Sequence, residues 1–182
     1  MSEELIDVLD ATGAATGVVK AKSQIHRDGD WHRAVHIWIL TPESRLLMQL
    51  RAAVKLTYPG LWDVSCAGHV SAGESSMESA LRELSEELGI DDVSLREFET
   101  VGTIIDRSSF FAGTHHENEF QETLLLRREV ELDALTLQKG EVDDVRLFTL
   151  EEFAGRVALR DGAFAPHWSG YEMLLKHLRS NR

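Results

Sequence analysis

Three glutamates, Glu83, Glu86 and Glu87, stand at i, i+3 and i+4 in the stretch SMESALRELSEELGI. On a helix that spacing gathers their carboxylates within roughly 100° of one face. Like charges so placed repel by about 0.2–0.5 kcal/mol per pair, and Arg82 relieves Glu86 at i+4 without serving all three. Hard divalent cations take oxygen ligands, and Mg2+ favours a few carboxylates together with substrate phosphates. The face is therefore either solvated or one half of a metal site.

The elements that must carry these residues follow from pattern. Ser75 and Glu78 form a capping box, and Gly89 sits where a helix should stop. Between them Met77, Ala80, Leu81, Leu84 and Leu88 make one apolar stripe that needs a core to face. Upstream, ELIDVLDATGAATGVVKAK reads as two short strands around a glycine-containing turn. HRDGDWH reads as a polar loop, RAVHIWIL as a central strand, and RLLMQLR as a strand paired with it. YPGLWDVSCAG carries a turn and a further strand. VSLREFETVGTIIDR and NEFQETLLLRREV read as strands joined by the loop SSFFAGTHHE. VDDVRLFT, LEEFAGRVA and SGYEMLLKHLR then give a strand and two helices. The expectation is a mixed α/β domain spanning 1–182, with residues 1–25 as an N-terminal hairpin extension.

Composition narrows the function. The chain has 182 residues, enough for one domain with a substantial core, and 43% of them are apolar. Its formal net charge of −12, with no basic run, argues against a nucleic-acid backbone or an anionic membrane as a partner. A phosphorylated small molecule remains compatible if metal ions screen the site. The single cysteine, Cys66, excludes an internal disulfide. The opening MSEELIDVLD lacks the basic and apolar regions of a secretory signal, and no apolar run reaches the ~20 residues of a membrane span. A cytoplasmic location is the expectation; oligomeric state is not legible.

The stretch from Gly68 to Ile90, GHVSAGESSMESALRELSEELGI, resembles the Nudix box at every defining position: Gly68, Glu74, Arg82-Glu83-Leu84, Glu86-Glu87 and Gly89-Ile90. Leaving aside the two apolar positions, Leu84 and Ile90, seven fixed residues at roughly one in fifteen each would coincide about once in 10⁸ placements. The resemblance implies a Nudix-type α/β/α sandwich with a mixed β-sheet, residues 68–90 forming its loop-helix-loop. It implies hydrolysis of a diphosphate linked to another moiety, X. Glu83, Glu86 and Glu87 would hold Mg2+ or Mn2+, with the Gly68 carbonyl as a further oxygen and Glu74 paired to Arg82. The candidate catalytic set is then Glu83, Glu86, Glu87 and Arg82, with Glu119 a carboxylate from outside the box.

The similarity extends from about Lys22 to Trp168 and resembles type I isopentenyl-diphosphate isomerases and the hydrolases related to them. HRAVHIWIL, QLRAAVKLTYPGLWDVSCAGH and ENE carry it. It implies further metal ligands in His32, His69, Glu117 and Glu119, with His26 a weaker candidate because its spacing is one residue short. It implies that Arg51, Lys55 and Lys22 bind the diphosphate and that Trp168 packs over the organic group. Glu117 and Glu119, two apart, would share one side of a strand. Two departures favour a hydrolase. The isomerase cysteine matches Ala67, whereas Cys66 would turn to the opposite face of a strand. The box also keeps all its carboxylates, which a non-catalytic ligand sensor, the third reading, would be expected to lose. The expected substrate is a small diphosphate, either an isoprenyl diphosphate or a nucleoside diphosphate derivative.

Overall fold

A computed structural model describes residues 3–181; residues 1, 2 and 182, which carry the ends of the expected span, lie outside the described residues. Thirteen main elements follow one another. First come β1 (Leu5–Leu9), β2 (Ala15–Ala21), α1 (Lys22–Asp28), β3 (Trp31–Leu40), β4 (Arg45–Arg51), β5 (Trp62–Asp63) and β6 (Cys66–His69). Then come α2 (Ser76–Leu88), β7 (Phe98–Phe110), β8 (His115–Arg127), β9 (Val142–Thr149), α3 (Leu150–Ala158) and α4 (Trp168–Ser180).

The strands make one mixed sheet organised by β3. One edge of β3 runs parallel to β8 over its whole length, from Trp31↔Asn118 to Leu40↔Arg127. Its other edge is shared in turn by three antiparallel strands: β1 at Trp31, β6 from Ala34 to Ile37, and β4 at Ile39 and Leu40. Where β6 hands over to β4 the sheet would lose backbone partners. Ser65 closes that gap: its Oγ donates to the Leu47 carbonyl at 2.5 Å and accepts from Ile39 N at 2.8 Å. Ser65 is fully buried, so neither group has water as an alternative. Ser65→Ala is expected to lower the unfolding free energy by about 1–3 kcal/mol, read from urea denaturation.

Alternation along β3 sends Val35, Ile37 and Ile39 to one face, where they pack on Ala80, Leu84 and Leu88 of α2. Trp38 and Leu40 go to the other face, against Phe153, Tyr171 and Leu174 of α3 and α4. Burying each such large side chain contributes about 1.5–3 kcal/mol, so both helical layers are held by the same strands. This is the expected sandwich. Among the described residues no helix is long and apolar enough to cross a membrane.

The acidic helix begins and ends as its sequence dictates. Glu78 N donates to Ser75 Oγ at 3.3 Å, Ser75 N donates back to Glu78 at 2.8 Å, and Gly89 closes the helix at φ 69°. Two expectations are corrected. The segment expected as a polar loop begins inside a helix, α1, whose αL cap is Gly29, and Ile25 and His26 are buried. The long loop expected at SSFFAGTHHE shrinks to residues 111–114, because β7 and β8 pair from Phe98↔Leu126 to Phe110↔His115. Polar side chains at alternate positions there face a cleft, which hides the usual apolar strand signal.

Candidate metal and diphosphate site

A cleft of about 670 Å3 opens beside β3, β6 and β8 and collects most of the residues singled out from sequence. Glu83, Glu86 and Glu87 line it from α2, and Gly68 and His69 from β6. Glu117 and Glu119 from β8 share it with Arg51, Lys55 and Lys22.

The glutamate face is not the uniformly exposed surface that a solvated helix would present. Glu83 and Glu87 are buried, at 8% and 5% exposure, while the Glu86 side chain is about half exposed at 48%. Burial pushes the Glu83 carboxyl up to about 7 against the opposing pull of Arg82, and burial likewise raises Glu87. Arg82 braces the group. Its guanidinium lies 2.6 Å from Glu83, 3.4 Å from Glu74 and 3.5 Å from Glu86, and donates to the His69 carbonyl at 3.0 Å. Arg82 is thus a positioning residue that ties helix, loop and β6 together. Glu87 accepts from Gln49 Nε2 at 3.2 Å and from Ala67 N at 3.4 Å, reaching through the opening between β4 and β6.

A second cluster faces the same cleft. His26, His32, His69 and Glu117 place ligand atoms within 4.8 Å of one another, so the weaker candidate His26 belongs with the others. Glu119 Oε1 lies 3.3 Å from His32 Nε2 and 3.6 Å from His69 Nε2, yet neither buried nitrogen has a hydrogen-bond partner. The geometry explains why. His32 Nδ1 sits 3.1 Å from the Asp30 carbonyl and donates to it, which turns Nε2 toward the Glu119 carboxylate oxygen. A ring nitrogen and a carboxylate oxygen at that distance suit a shared cation, proton or metal. Burial lowers His26 to about 4 and drives His69 well below its ordinary range, so both rings are neutral at neutral pH. Burial, with Glu119 alongside, pushes Glu117 well up, and in the absence of metal the carboxylate pair holds a proton. Orphaned imidazole nitrogens and crowded buried carboxylates fit divalent cations: oxygen donors alone on α2, a mixed nitrogen and oxygen set beside it.

The basic residues are less free than expected. Arg51 donates to the Thr57 carbonyl at 3.0 and 3.2 Å and lies 3.3 Å from Asp63. Lys55 pairs with Glu141, and Lys22 stands 3.5 Å from Glu4. All three still line the cleft.

Trp168 does not. It opens α4 and packs beside Tyr171 with its ring centroid 5.7 Å away, under the Arg160 guanidinium at 5.2 Å. The expectation that it covers the organic group is corrected: the start of α4 turns Trp168 to the helical core and gives the cleft His167 instead. Sequence reading also missed His36, Asp63, Asp106 and Gln121 as lining residues. Period-2 alternation carried the signal for two of them, since His36 follows His32 by four and Gln121 follows Glu119 by two.

Cys66 and Ala67 divide as strand parity requires. Cys66 is fully buried in the core under α2, where burial and then Glu87 raise its thiol well above the ordinary range. Ala67 lines the cleft. No thiol reaches the cleft among the described residues.

Comparison with known proteins agrees with this geometry. Residues 30–168 match the NUDIX domain model. Nudix hydrolase 3 of Arabidopsis thaliana is 42% identical over 170 residues, 92% of this chain but 22% of that protein, so the chain spans about a fifth of its length. An uncharacterized Nudix hydrolase of Clostridium acetobutylicum is 34% identical over 169 residues, 91% of this chain and 80% of that one. Isopentenyl-diphosphate isomerases align with about half of the chain. A crystal structure from Deinococcus radiodurans superposes with a TM-score of 0.69 at 20% identity, over 97% of this chain and 98% of that one, which speaks to the fold. With its glutamate helix facing a cleft and a family match across most of its length, the chain belongs to the NUDIX domain family.

Proposed function

We propose that the chain is a divalent-metal-dependent hydrolase that cleaves the diphosphate linkage of a small phosphorylated metabolite with water. One observation carries this: two buried acid-rich clusters open onto one cleft, and one of them holds imidazole nitrogens that face a carboxylate without a partner. Mg2+ or Mn2+ fits Glu83, Glu86 and Glu87, with the Gly68 carbonyl adjacent. His26, His32, His69, Glu117 and Glu119 offer the mixed set. When bound, a divalent cation neutralises diphosphate oxygens and makes water a stronger nucleophile at neutral pH. The protein's own groups do the rest. Arg82 holds Glu83 at 2.6 Å, so that carboxylate keeps its place as charge moves. Lys55 and Arg51, at the cleft wall, offer positive charge to a phosphate. Glu86, the exposed member of the box, with Arg82 as its ion-pair partner at 3.5 Å among the described residues, stands where a carboxylate can take a proton from water.

The isomerase alternative requires a proton donor opposite a glutamate. The cleft wall carries Ala67 at that point, and the buried Cys66 thiol faces the other core. A panel of diphosphates incubated with Mg2+ or Mn2+ and followed by phosphorus and proton NMR tests the reading. Release of phosphate or a monophosphate, abolished by excess chelator, is the expected result. Conversion of isopentenyl diphosphate to dimethylallyl diphosphate without phosphate release would replace it with the isomerase. Binding without any reaction would replace it with a ligand sensor.

A further inference from the structure

Lys22, Lys55 and Arg51 are the cations that the cleft offers a diphosphate, yet each already faces a carboxylate. Arg51 lies 3.3 Å from Asp63, which is 1% exposed and also accepts from Val64 N at 2.8 Å and Tyr171 Oη at 3.2 Å. Withdrawing Arg51 would strand a buried charge, so that pair is fixed. The two lysine pairs are built differently. Lys22 with Glu4, and Lys55 with Glu141, line the cleft with side chains between 25% and 42% exposed. Water screens ion pairs at that exposure, and their hold is slight.

Glu4 precedes the matched span of residues 30–168, and its carboxylate stands between two cations. Lys22 Nζ is 3.5 Å away, and Arg82, the brace of Glu83, is 3.6 Å away. Ser71 Oγ donates to the same carboxylate at 3.0 Å. The backbone there is fixed: Lys22 N donates to the Glu4 carbonyl at 2.9 Å, and Ala72 N to the Leu5 carbonyl at 2.8 Å. If Lys22 swings away, Glu4 keeps Arg82 and Ser71, so its charge is not left alone. Lys22 opens α1 one turn before His26 and so stands beside the mixed cluster. Glu141 has the corresponding place beside the glutamate helix. Gln138 N donates to the Glu87 carbonyl at 3.0 Å and Glu141 N to the Gln138 carbonyl at 3.1 Å, which sets this turn against the end of α2. The Glu141 carbonyl accepts from Ala52 N at 2.9 Å and holds the Lys55 loop to it. Parted from Lys55, the Glu141 carboxylate has water.

Resting on the diphosphate reading above, we propose that Glu4 and Glu141 are exchangeable counter-ions: each holds its lysine without substrate, yields it to a substrate phosphate, and takes it back as product leaves. Lysine suits the role, because its ammonium is a point charge on a flexible four-carbon stem rather than a rigid fork. Both carboxylates are positioning residues, and both oppose phosphate binding. They keep each lysine beside the cleft, and they speed the departure of product. The segment ahead of the matched span thus takes part in handling phosphate through Glu4.

Calorimetric binding of two probes with Mg2+ tests it: inorganic phosphate, and methylenediphosphonate, a diphosphate analogue that water does not cleave. Glu4→Gln and Glu141→Gln keep the shape of the side chain and an acceptor oxygen. Each is expected to tighten binding of both probes by roughly three- to tenfold. A merely structural role predicts the opposite sign, because loosening Arg82 or the Lys55 loop weakens the site. Lys22→Met is expected to weaken binding about tenfold, and adding Glu4→Gln to it should change affinity by less than about twofold, since no lysine is left to yield. Weaker or unchanged binding in either glutamine variant overturns the proposal for that carboxylate. Equal tightening with and without Lys22 also overturns it, by making Glu4 a source of general repulsion. If Glu4→Gln fails to fold, Glu141→Gln with and without Lys55→Met decides. The probes are bound and not turned over, so a chain that releases phosphate from no diphosphate loses the hydrolase reading while this test still stands.

Discussion

Replacing Glu87 by glutamine is expected to lower turnover at saturating Mg2+ by about 10²-fold or more, and Glu86→Gln to do the same. Removing one anionic ligand forfeits roughly 3 kcal/mol of transition-state stabilisation. The two variants differ in what they do to the fold. Glu87 is 5% exposed, and burial disfavours its charged form, so a neutral amide there leaves the metal-free protein as stable or more so. Glu86 is about half exposed and pairs only loosely with Arg82, so Glu86→Gln changes stability by less than about 0.5 kcal/mol. Thermal unfolding beside steady-state kinetics separates the effects. Near-normal turnover in both variants, with folding intact, would remove these glutamates from the reaction. A fall in activity matched by a fall in stability would make the Glu87 result a folding effect.

Gly68→Ala is expected to be nearly as damaging without touching a charged residue. A Cβ at position 68 would lie 2.1 Å from Glu83 Cδ and Oε1 and 2.5 Å from its Cγ, far inside contact distance. The backbone of β6 is paired to β3 through Val35↔Gly68 and cannot retreat cheaply, so the Glu83 side chain must swing away. That breaks its 2.6 Å contact with Arg82 and displaces a carboxylate from the cation face. The expected result is a tenfold or greater weakening of Mg2+ binding by calorimetry and a ~10²-fold drop in turnover. The stability loss should stay within about 1–3 kcal/mol, the usual cost of overpacking. Adding Glu83→Ala should recover much of that stability, since the clash is gone, while activity stays low. This non-additivity is the mark of direct contact. Unaltered metal affinity in Gly68→Ala would mean that Glu83 is no ligand.

The difference between these glutamates was only half legible in the sequence. Helical spacing put Glu83, Glu86 and Glu87 on one face, and the capping box and Gly89 set the ends of α2. Which glutamates are buried depends on β6 and on the split between β4 and β6, which no local pattern announces. Strand alternation gave Glu117 and Glu119 a common side, and the same rule would have exposed His36 and Gln121 had it been carried two residues further along each strand. The short helix α1 escaped because seven residues hold too little periodicity to outweigh a glycine. The extension of β7 and β8 escaped because their inward positions are polar, as the lining of a charged cleft must be. Trp168 shows the limit of matching residue types by position. The helix start at His167 sets which of two neighbouring rings reaches the cleft.

Cys66 and Ala67 occupy neighbouring places on one short strand, one under the acidic helix and one on the wall of the cleft. Transposing those two letters would leave composition and length untouched while carrying a sulfur hydrogen from the buried interior to the cleft. A scaffold of this kind thus gains or loses a proton carrier by a single step of parity. Descendants of one ancestor can diverge in chemistry along that step while everything that keeps the scaffold upright stays the same.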